Sequence, residues 1–390
     1  MTAVLKGVSV VDLGTMITAP LAGMMLADLG ADVIKVEHPQ GGDPFRSFRG
    51  GLYSPHFVAY NRGKRSIKLD LRSDDGRKIL LKLLTRADVL IENYRAGVMA
   101  RLGLTPEVLQ ATNPRLIHCS ITGFGTSGPY SGRPAYDTVG LALSGIASLL
   151  LDPQQPEACG PTIPDNATGM YACYGILGAL YEREKTGRGR RVEVNMLEAS
   201  IAFIPDPFAN HTRMNIANDR LTRVASSHSF ALRCADGKLL AVHLSSQPKF
   251  WEALCGVLER TDLIGDDRFK SRDLRIRHYR ELCQVLNDAV AKRPRADWMT
   301  RLEAADVPFA PVQTIPEVID DPQVQHLQTF YQEQHPVEGR NLGIHRPVLI
   351  DGARDAAAPA PTLGEHTEAV LAELGYGGDE IKRLRTASVI

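Results

Sequence analysis

Short apolar runs alternate with helical patterns through the N-terminal half of the chain, and this alternation restricts the possible folds most. Val8–Leu13 and Ala31–Glu37 are predicted strands, and Pro20–Leu29 is a predicted helix between them. The alternation continues with a predicted strand, helix, strand and strand at Ser66–Leu71, Asp74–Thr85, Asp88–Glu92 and Leu116–Thr122. This order favours parallel strands joined by right-handed crossovers. We therefore expect an α/β fold whose sheet is covered by helices on both faces.

The second half of the chain has a different pattern and predicts a smaller α+β domain. Ser227–Leu244 predicts two strands around the turn Ala235–Gly237, whereas Ile201–Arg223 predicts an irregular to weakly helical connector. Further predicted elements are helices at Phe250–Glu259, Arg277–Ala291 and Ala296–Ala304, an extended linker at Ala353–Leu363, and helices at Glu365–Leu374 and Asp379–Arg385. We divide the chain into a large domain (1–200), a connector (201–224), a small domain (225–320), a second connector (321–362) and C-terminal helices that return to the large domain (363–390).

Composition excludes several classes of partner. Lysine and arginine total 45, as do aspartate and glutamate, so the net charge of +0 argues against general affinity for nucleic acids or anionic membranes. The cysteines contain no CxxC pair and the histidines no i,i+4 pair, so we expect reduced thiols and no metal site. No leader and no run of about 18 apolar residues is visible, and we expect a cytoplasmic protein. The cysteines are Cys119, Cys159, Cys173, Cys234, Cys255 and Cys283.

The turn after the first predicted strand argues against a nicotinamide cofactor. A dinucleotide-binding fold carries GxGxxG there, and Gly14–Pro20 lacks that pattern. Glu37 ends the next predicted strand, where a ribose-binding acid would lie. Without the glycines, however, the backbone cannot approach a pyrophosphate closely.

Basic residues cluster near the predicted carboxyl ends of the strands, where open α/β sheets bind ligands. The set comprises Arg62, Lys64, Arg65, Arg72, Arg95 and Arg101. As a cluster they suit a multiply phosphorylated ligand, because guanidinium groups bind phosphate bidentately. For any one of them taken alone, a solvated surface charge is the better interpretation, so both interpretations stay open.

A single carboxylate, Asp165, occupies a distinctive position in the segment Pro161–Glu198. It follows a proline and precedes small and apolar residues at helical spacing, which places it at or beside a helix N-terminus. The unpaired N–H groups and the dipole there favour the ionised form. Such an aspartate can cap the helix, which is the commoner role, or it can attack an acyl carbon. The residues alone do not decide between these two roles.

Seven segments in order give the chain a resemblance to class III CoA-transferases of the formyl-CoA and carnitine-CoA transferase type. They are LKGVSVVDLG, LADLGADVIKVEHPQGGDPFR, NRGKRSIKLDL, IENYRAGVMARLGL, ITGFGTSGPYSGRPAYD, PDNATGMYACYGILGALYEREKTGRGRRVEVNMLEA and LGEHTEAVLAELGY. The resemblance covers nearly the whole length. It implies a Rossmann-like large domain that binds CoA, an inserted small domain and an interlocked homodimer.

The resemblance also implies roles for individual residues. Asp165 lies at the position of the family's nucleophile, which forms an aspartyl–acyl anhydride and then an aspartyl-CoA thioester. The substrates are an acyl-CoA and a carboxylic acid, and no cofactor is bound permanently. The implied CoA-contacting residues are Met16, Ile17, Leu71, Arg72, Asn93, Tyr94, Arg95, Arg101, Tyr136 and Asp137, with Arg95 and Arg101 holding phosphate groups.

The chain departs from its family in two places. The glycine-rich flap is unmatched, and Ser245–Gln247 stands in its place. The racemase branch of the fold has a histidine base where this chain has Tyr136, which favours the transferase. A 2-methylacyl-CoA racemase or epimerase and a non-catalytic CoA-binding protein are the alternatives. Four residues suggest a pairing with the second carboxylate of a dicarboxylate such as succinate, although solvated surface residues are the commoner interpretation: Arg46, Arg49, His56 and Arg62.

Overall fold

The computed structural model describes residues 3–158, 160–245 and 247–390. Cys159 and Ser246 therefore lie outside the described residues. The chain forms two compact units. The first comprises Met1–Ala147, Gly160–Pro205 and Leu327–Ile390, and the second comprises Ser148–Cys159 and Asp206–His326.

A six-stranded parallel sheet forms the centre of the first unit and confirms the predicted α/β class. Its strands are β1 (Ser9–Asp12), β2 (Asp32–Glu37), β3 (Arg65–Lys68), β4 (Val89–Glu92), β5 (Ile117–Thr122) and β6 (Arg191–Asn195). The strand order is β3-β2-β1-β4-β5-β6, so β1 pairs with β2 on one side and with β4 on the other. This is the strand order of doubly wound nucleotide-binding sheets.

The helices of the first unit cover both faces of this sheet. They are α1 (Thr18–Asp28), α2 (Pro55–Asn61), α3 (Asp74–Leu84), α4 (Val98–Arg101), α5 (Pro106–Thr112), α6 (Asp137–Ser144), α7 (Ile163–Thr186), α8 (Met196–Phe203), α18 (Thr367–Glu373) and α19 (Gly378–Thr386). Local signals explain their bounds. In α3, for example, the Ser73 hydroxyl accepts the N–H of Gly76, and acidic residues occupy the first turn.

Two apolar cores lie on opposite faces of the sheet because neighbouring side chains of a strand point in opposite directions. Val10 packs in a core with α1 and α7. Val11 packs in the other core with α3, α18 and α19, which includes Leu371 and Ile390. The last helices of the chain thus complete a core that the N-terminal strands begin.

The second unit contains the predicted hairpin. Strands β7 (Ser229–Arg233) and β8 (Leu239–His243) pair antiparallel, and β9 (Phe309–Pro311) adds to β8. Trp251 and Phe269 belong to its buried core. Its helices are α9 (Pro205–Met214), which begins at the unit boundary, α10 (Thr222–Ser226), α11 (Pro248–Val257), α12 (Asp262–Gly265), α13 (Arg272–Arg277), α14 (Tyr279–Val290), α15 (Arg295–Ala304), α16 (Ile315–Ile319) and α17 (Pro322–His326).

Three secondary-structure predictions differ from the structure. The segment predicted as irregular to weakly helical, Ile201–Arg223, is largely helical, because its prolines fall in the first turn of α9, where no intrahelical N–H bond is lost. The predicted connector at 321–362 contains a hairpin of β10 (Phe330–His335) and β11 (Gly339–Ile344). Strand β6 was not predicted, because charged residues alternate with its valines and leave no continuous apolar run.

Within the three described ranges, no helix is long and apolar enough to cross a membrane. The five cysteines described there are free, and four of them are buried.

Candidate active site

A cavity of about 690 Å³ lies where the loops after β1, β4 and β5 leave the carboxyl ends of their strands. Thr15–Thr18 follow β1, Asn93–Ala96 follow β4, and Ile121–Gly123 end β5. The chain turns to opposite sides of the sheet after β1 and β4, and such a switch point opens a crevice that binds ligands in α/β proteins. Asp165 lies on the wall of this cavity.

Asp165 occupies the first turn of α7 but does not cap it. Thr162 is the N-cap residue, and Asp165 comes three positions later. The backbone N–H of Asp165 donates to Oδ1 of Asp137 over 3.2 Å. The Asp165 carboxylate has no hydrogen-bond or ion-pair partner in the described part of the chain. The capping interpretation of this side chain is therefore wrong.

The surroundings of Asp165 oppose its ionisation. Burial, and then the negative charge of Asp137, raise the pKa of Asp165 to about 7. Burial also raises the pKa of Asp137, although the N–H of Asp165 opposes that change. The expectation that the helix N-terminus favours the ionised form is outweighed, because desolvation penalises the charged carboxylate. Near neutral pH, Asp165 exists in both protonation states.

Asn93 joins two loops of the cavity through its side-chain amide. Its Oδ1 accepts the N–H of Thr15 over 2.9 Å, and its Nδ2 donates to the Thr15 carbonyl over 2.8 Å and to Thr18 Oγ1 over 3.0 Å. The amide is thus engaged within the protein. Tyr94 follows, with its N–H bound to a Glu92 oxygen, and burial together with Glu92 raises the pKa of Tyr94 to about 12.

The cavity brings together most of the residues predicted for CoA contact. Those that line it are Met16, Ile17, Asn93, Tyr94, Arg95, Tyr136 and Asp137. Leu71, Arg72 and Arg101 lie outside its lining. Arg72 and Arg101 are exposed, whereas Leu71 packs against the apolar core around Ile79.

Several lining residues were missed by the sequence analysis, notably Phe45, Phe48 and Arg133. Arg133 stands three residues before Tyr136 in the family motif ITGFGTSGPYSGRPAYD. Its guanidinium lies 4.6 Å from the ring centroid of Tyr130. A basic residue so close to a predicted contact was a usable signal. Each of the two phenylalanines precedes an arginine suggested for substrate, but an apolar ring by itself did not indicate a cavity wall.

Two residues suggested for binding a dicarboxylate have other partners. Arg46 is fully buried and forms an ion pair with Glu37 over 2.7 Å. Arg62 donates from Nε to Asp28 over 3.0 Å. The suggestion is wrong for both, because a guanidinium paired inside the protein is not free for substrate. Arg49 is exposed, and its role stays a prediction.

The other suggested residue, His56, packs against aromatic rings. Its ring centroid lies 5.3 Å from that of Phe45 and 5.0 Å from that of Phe48, both of which line the cavity. His56 itself is not among the lining residues.

The segment at the unmatched flap belongs to the second unit. Ser245 has a left-handed backbone with φ of 55°, Ser246 lies outside the described residues, and Gln247 precedes α11 as its N-cap. Its function as a flap stays a prediction.

The cavity carries no histidine among its described lining residues. Tyr136 is 63% exposed and is the N-cap residue of α6. A racemase needs an acid/base pair across the α-carbon, and a phenol, whose pKa is ordinarily near 10, is a poor base at neutral pH. The lining thus gives the racemase alternative no support.

The model of CoA-transferase family III matches residues 5–367. The chain belongs to CoA-transferase family III. This confirms the resemblance drawn from the seven motifs, and the chain is an enzyme of the CoA-transferase class. CoA-transferases of this kind take CoA thioesters as substrates.

Known relatives match along almost their entire length. A succinate–glutarate CoA-transferase of Agrobacterium fabrum is 34% identical over 388 residues, with 95% of each chain covered. A formyl-CoA:oxalate CoA-transferase of Streptomyces avermitilis is 31% identical over 410 residues, with 100% of each covered. The crystal structure of a CAIB/BAIF family protein from Brucella suis gives a TM-score of 0.85 at 31% identity and covers 96% of this chain and 100% of that one.

Replacing Asp137 tests the electrostatic coupling at this site. If the Asp165 carboxylate reacts, kcat/KM for CoA transfer rises with pH through about 7, because only the ionised form attacks. Asp137→Asn removes the neighbouring negative charge and keeps an oxygen for the Asp165 N–H. We expect the midpoint of the pH–kcat/KM profile to move about one unit toward acid.

Asp379→Asn, the same change in the first turn of α19, is the control and should leave the midpoint in place. A midpoint that does not move in Asp137→Asn, or that moves toward alkaline pH, would show that the two carboxylates are not coupled in this way.

Proposed function

We propose that this protein moves CoA from an acyl-CoA donor to an acceptor carboxylic acid through covalent intermediates on Asp165. The position of Asp165 supports the proposal most directly. Its carboxylate lies on the wall of the cavity at the switch point and has no partner in the described part of the chain. A carboxylate that neither caps a helix nor pairs with a cation keeps its lone pairs available for attack.

The first half of the reaction transfers CoA to the enzyme. An Asp165 oxygen attacks the carbonyl carbon of the thioester, the carbon–sulfur bond breaks, and CoA leaves as a thiolate. The product is a mixed aspartyl–acyl anhydride. The thiolate then attacks the aspartyl carbonyl, which breaks the anhydride, releases the donor acid as a carboxylate and leaves an aspartyl-CoA thioester.

The second half transfers CoA to the acceptor. The acceptor carboxylate attacks the aspartyl-CoA carbonyl and displaces the thiolate, which forms a second anhydride. The thiolate then attacks the acyl carbon of the acceptor and releases Asp165 as a free carboxylate. The cycle consumes no proton and no oxidant, and the thioester free energy is retained throughout.

Backbone N–H groups at the start of α1 are suited to the negative charge that develops in each tetrahedral intermediate. Ile17 precedes α1 without a side-chain cap, and Thr18 and Ala19 in the first turn have no intrahelical acceptor. Ile17 and Thr18 line the same cavity as Asp165. Donors fixed in this way stabilise an oxyanion without reorganisation during the reaction.

The CoA portion is proposed to run from this cavity across the carboxyl edge of the sheet. Its contacts are Met16, Ile17, Leu71, Arg72, Asn93, Tyr94, Arg95, Arg101, Tyr136 and Asp137. Of these, Asn93 acts through its position between the loops, since its amide is engaged. Arg72, Arg95 and Arg101 are exposed and have no carboxylate partner among the described residues, which suits phosphate groups.

Replacement of Asp165 tests the covalent mechanism. Asp165→Ala should lower kcat more than about 1,000-fold, because no other carboxylate without a partner occupies that position. Wild-type protein incubated with acyl-CoA and hydroxylamine should lose activity and carry a hydroxamate at residue 165, detected by peptide mass spectrometry. Hydroxylamine without acyl-CoA should have no effect.

The matched control is Asp74→Ala, which removes an aspartate from the first turn of α3. Its kcat should stay within about twofold of wild type, as is usual for exposed sites. Normal transfer by Asp165→Ala, or a hydroxamate at another residue, would refute the proposed nucleophile.

The acceptor is proposed to be a dicarboxylic acid, with its distal carboxylate held by Arg133. Arg133 lines the cavity and has no carboxylate partner in the part of the chain that is described. Arginine binds carboxylates through two parallel N–H groups. The names of two relatives, which include glutarate and oxalate, support this class of acid.

Arg133→Gln should separate dicarboxylic from monocarboxylic acceptors. With glutarate we expect KM to rise about tenfold or more, since a charge-assisted contact is lost, whereas KM for pentanoate should hardly change. Steady-state CoA transfer to the two acids measures this difference. Arg340→Gln, an exposed site on β11, is the control. Equal effects on both acids would rule out recognition of the distal carboxylate by Arg133.

The assembly is proposed to be an interlocked homodimer. Residues 1–200 and 363–390 form its large CoA-binding domain, 225–320 its small domain, and 201–224 and 321–362 its connectors. Three exposed apolar side chains on one face of α7 support a partner surface. Met170, Tyr174 and Tyr181 are 51%, 75% and 68% exposed.

Subunit exchange tests the interlocking. Tagged and untagged protein, mixed without denaturant, should form heterodimers only over many hours, because an interlocked pair must unfold in part to separate. Unfolding and refolding the two proteins together should produce heterodimers at once. Affinity capture followed by gel analysis measures heterodimer formation in both experiments. Rapid exchange in buffer, or a sedimentation mass of 42.7 kDa, would contradict the interlocked dimer.

A further inference from the structure

Side-chain oxygens accept hydrogen bonds from three successive backbone N–H groups of the loop between β1 and α1. Asp12 Oδ1 accepts the N–H of Gly14 over 2.8 Å, and Asn93 accepts that of Thr15. The third acceptor is Asp43 Oδ1, which binds the N–H of Met16 over 3.1 Å. Each of these acceptors belongs to a different segment of the first unit.

Met16 is the point of this loop that most needs support. Its φ is 66°, in the left-handed region that is unfavourable for a residue with a β-carbon. Met16 and Ile17 both line the cavity with Asp165. A strained backbone persists only where the surrounding structure holds it. The hydrogen bond from the Met16 N–H to Asp43 therefore stabilises the backbone of Met16 at the cavity wall.

Lys35 contacts both Asp43 and the loop between β1 and α1. Its ammonium lies 2.9 Å from Asp43 Oδ2 and donates to the Gly14 carbonyl over 2.6 Å. The side chains of Lys35 and Asp43 are completely buried. Burial would lower the pKa of Lys35, but Asp43, Asp12 and Glu37 outweigh it and raise that pKa. The buried carboxylate and ammonium thus lie within ion-pair distance directly beside the loop.

General stability is a weak explanation for this pair, because exchanging buried ion pairs for apolar residues is often neutral or stabilising. Asp28 and Arg62 offer an internal comparison. They form a second largely buried pair, with side chains 8% and 14% exposed, and neither residue lines the cavity. What distinguishes Asp43 is its bonds to the cavity backbone, because its Oδ1 accepts the N–H of Met16 and that of Phe45, and both residues line the cavity.

We propose that Asp43, held by Lys35, is a positioning residue for CoA transfer: it fixes Met16 and Ile17 in the geometry that the reacting thioester requires. The inference rests on the proposed function of Asp165. A small displacement at the reacting centre lowers the rate strongly, whereas most of the proposed CoA contacts lie outside the loop that holds Met16 and Ile17. Loss of the ion pair therefore affects kcat more than KM.

Asp43→Asn is the decisive variant, because it removes the charge while preserving shape. We expect kcat to fall about tenfold or more and KM for acyl-CoA to change less than about threefold. Asp28→Asn removes the same charge from the comparison pair. Its kcat should stay within about twofold of wild type, even if its unfolding midpoint falls as far as that of Asp43→Asn. Asp43→Ala, which also removes the Met16 acceptor, should lower kcat further than Asp43→Asn.

Two outcomes would overturn the proposal: an unchanged kcat in Asp43→Asn, or an equal loss of kcat in Asp28→Asn. If Asp43→Ala fails to fold, the Asp43→Asn result decides alone. Hydroxylamine trapping separates this test from the parent proposal. Wild-type protein that forms no hydroxamate at Asp165 refutes the nucleophile, whereas slower hydroxamate formation in Asp43→Asn with normal CoA binding supports the positioning role.

Discussion

The position of β1 between β2 and β4 is the constraint on which the rest of the first unit depends. Because its two neighbours continue the sheet in opposite directions, the loops after β1 and β4 diverge and leave a crevice between them. Backbone pairing fixes this arrangement, with Val10 beside Val33 on one side and Val89 on the other. Asn93 then bridges the crevice at its base and determines how far the two loops separate.

The surroundings of Asp165 balance two opposed needs. In the mechanism proposed for Asp165, the carboxylate must be ionised, which water favours, yet a desolvated carboxylate is the more reactive species. Burial and Asp137 set the pKa of Asp165 near 7, where much of the enzyme carries the charge at neutral pH and the carboxylate is more basic than a solvated one. Asp137 thus raises the pKa of Asp165 through its charge, although the two side-chain carboxylates share no hydrogen bond among the described residues.

The sequence was sufficient for the first five strands of the sheet because their signals are local, whereas β6 was not predicted. Buried strands, caps such as Ser73 and the hairpin turn at Ala235–Gly237 are each set by a few neighbouring residues. Asp165 could be located but not assigned, because capping and nucleophilic attack need the same residue at the same place. The family resemblance favoured the second role, and the structure adds only that Thr162, not Asp165, is the N-cap residue of α7.

Other features depended on partners far apart in the chain, which a pattern of residue types does not reveal. Arg62 looked available for substrate, but Asp28, which precedes it by 34 residues, occupies it. Phe45 and Phe48 reach the cavity wall through a loop whose path follows from tertiary packing. The helix α9 was predicted only as part of an irregular to weakly helical connector, because a proline can begin a helix or break one and the residue pattern does not show which.

The end of the chain takes part in the same structure as its beginning. The N–H of Asp70 donates to the Val389 carbonyl, Ser66 binds the N–H of Gly364, and Ile390 lies in the core beneath β1. During synthesis, the last of the cavity strands, β5, is complete at Thr122, long before α18 begins at Thr367. Until then, α3 and α5 cover only part of that core, and the apolar side chains that later contact the C-terminal helices stay open to water and to other apolar surfaces, a state that is prone to aggregation.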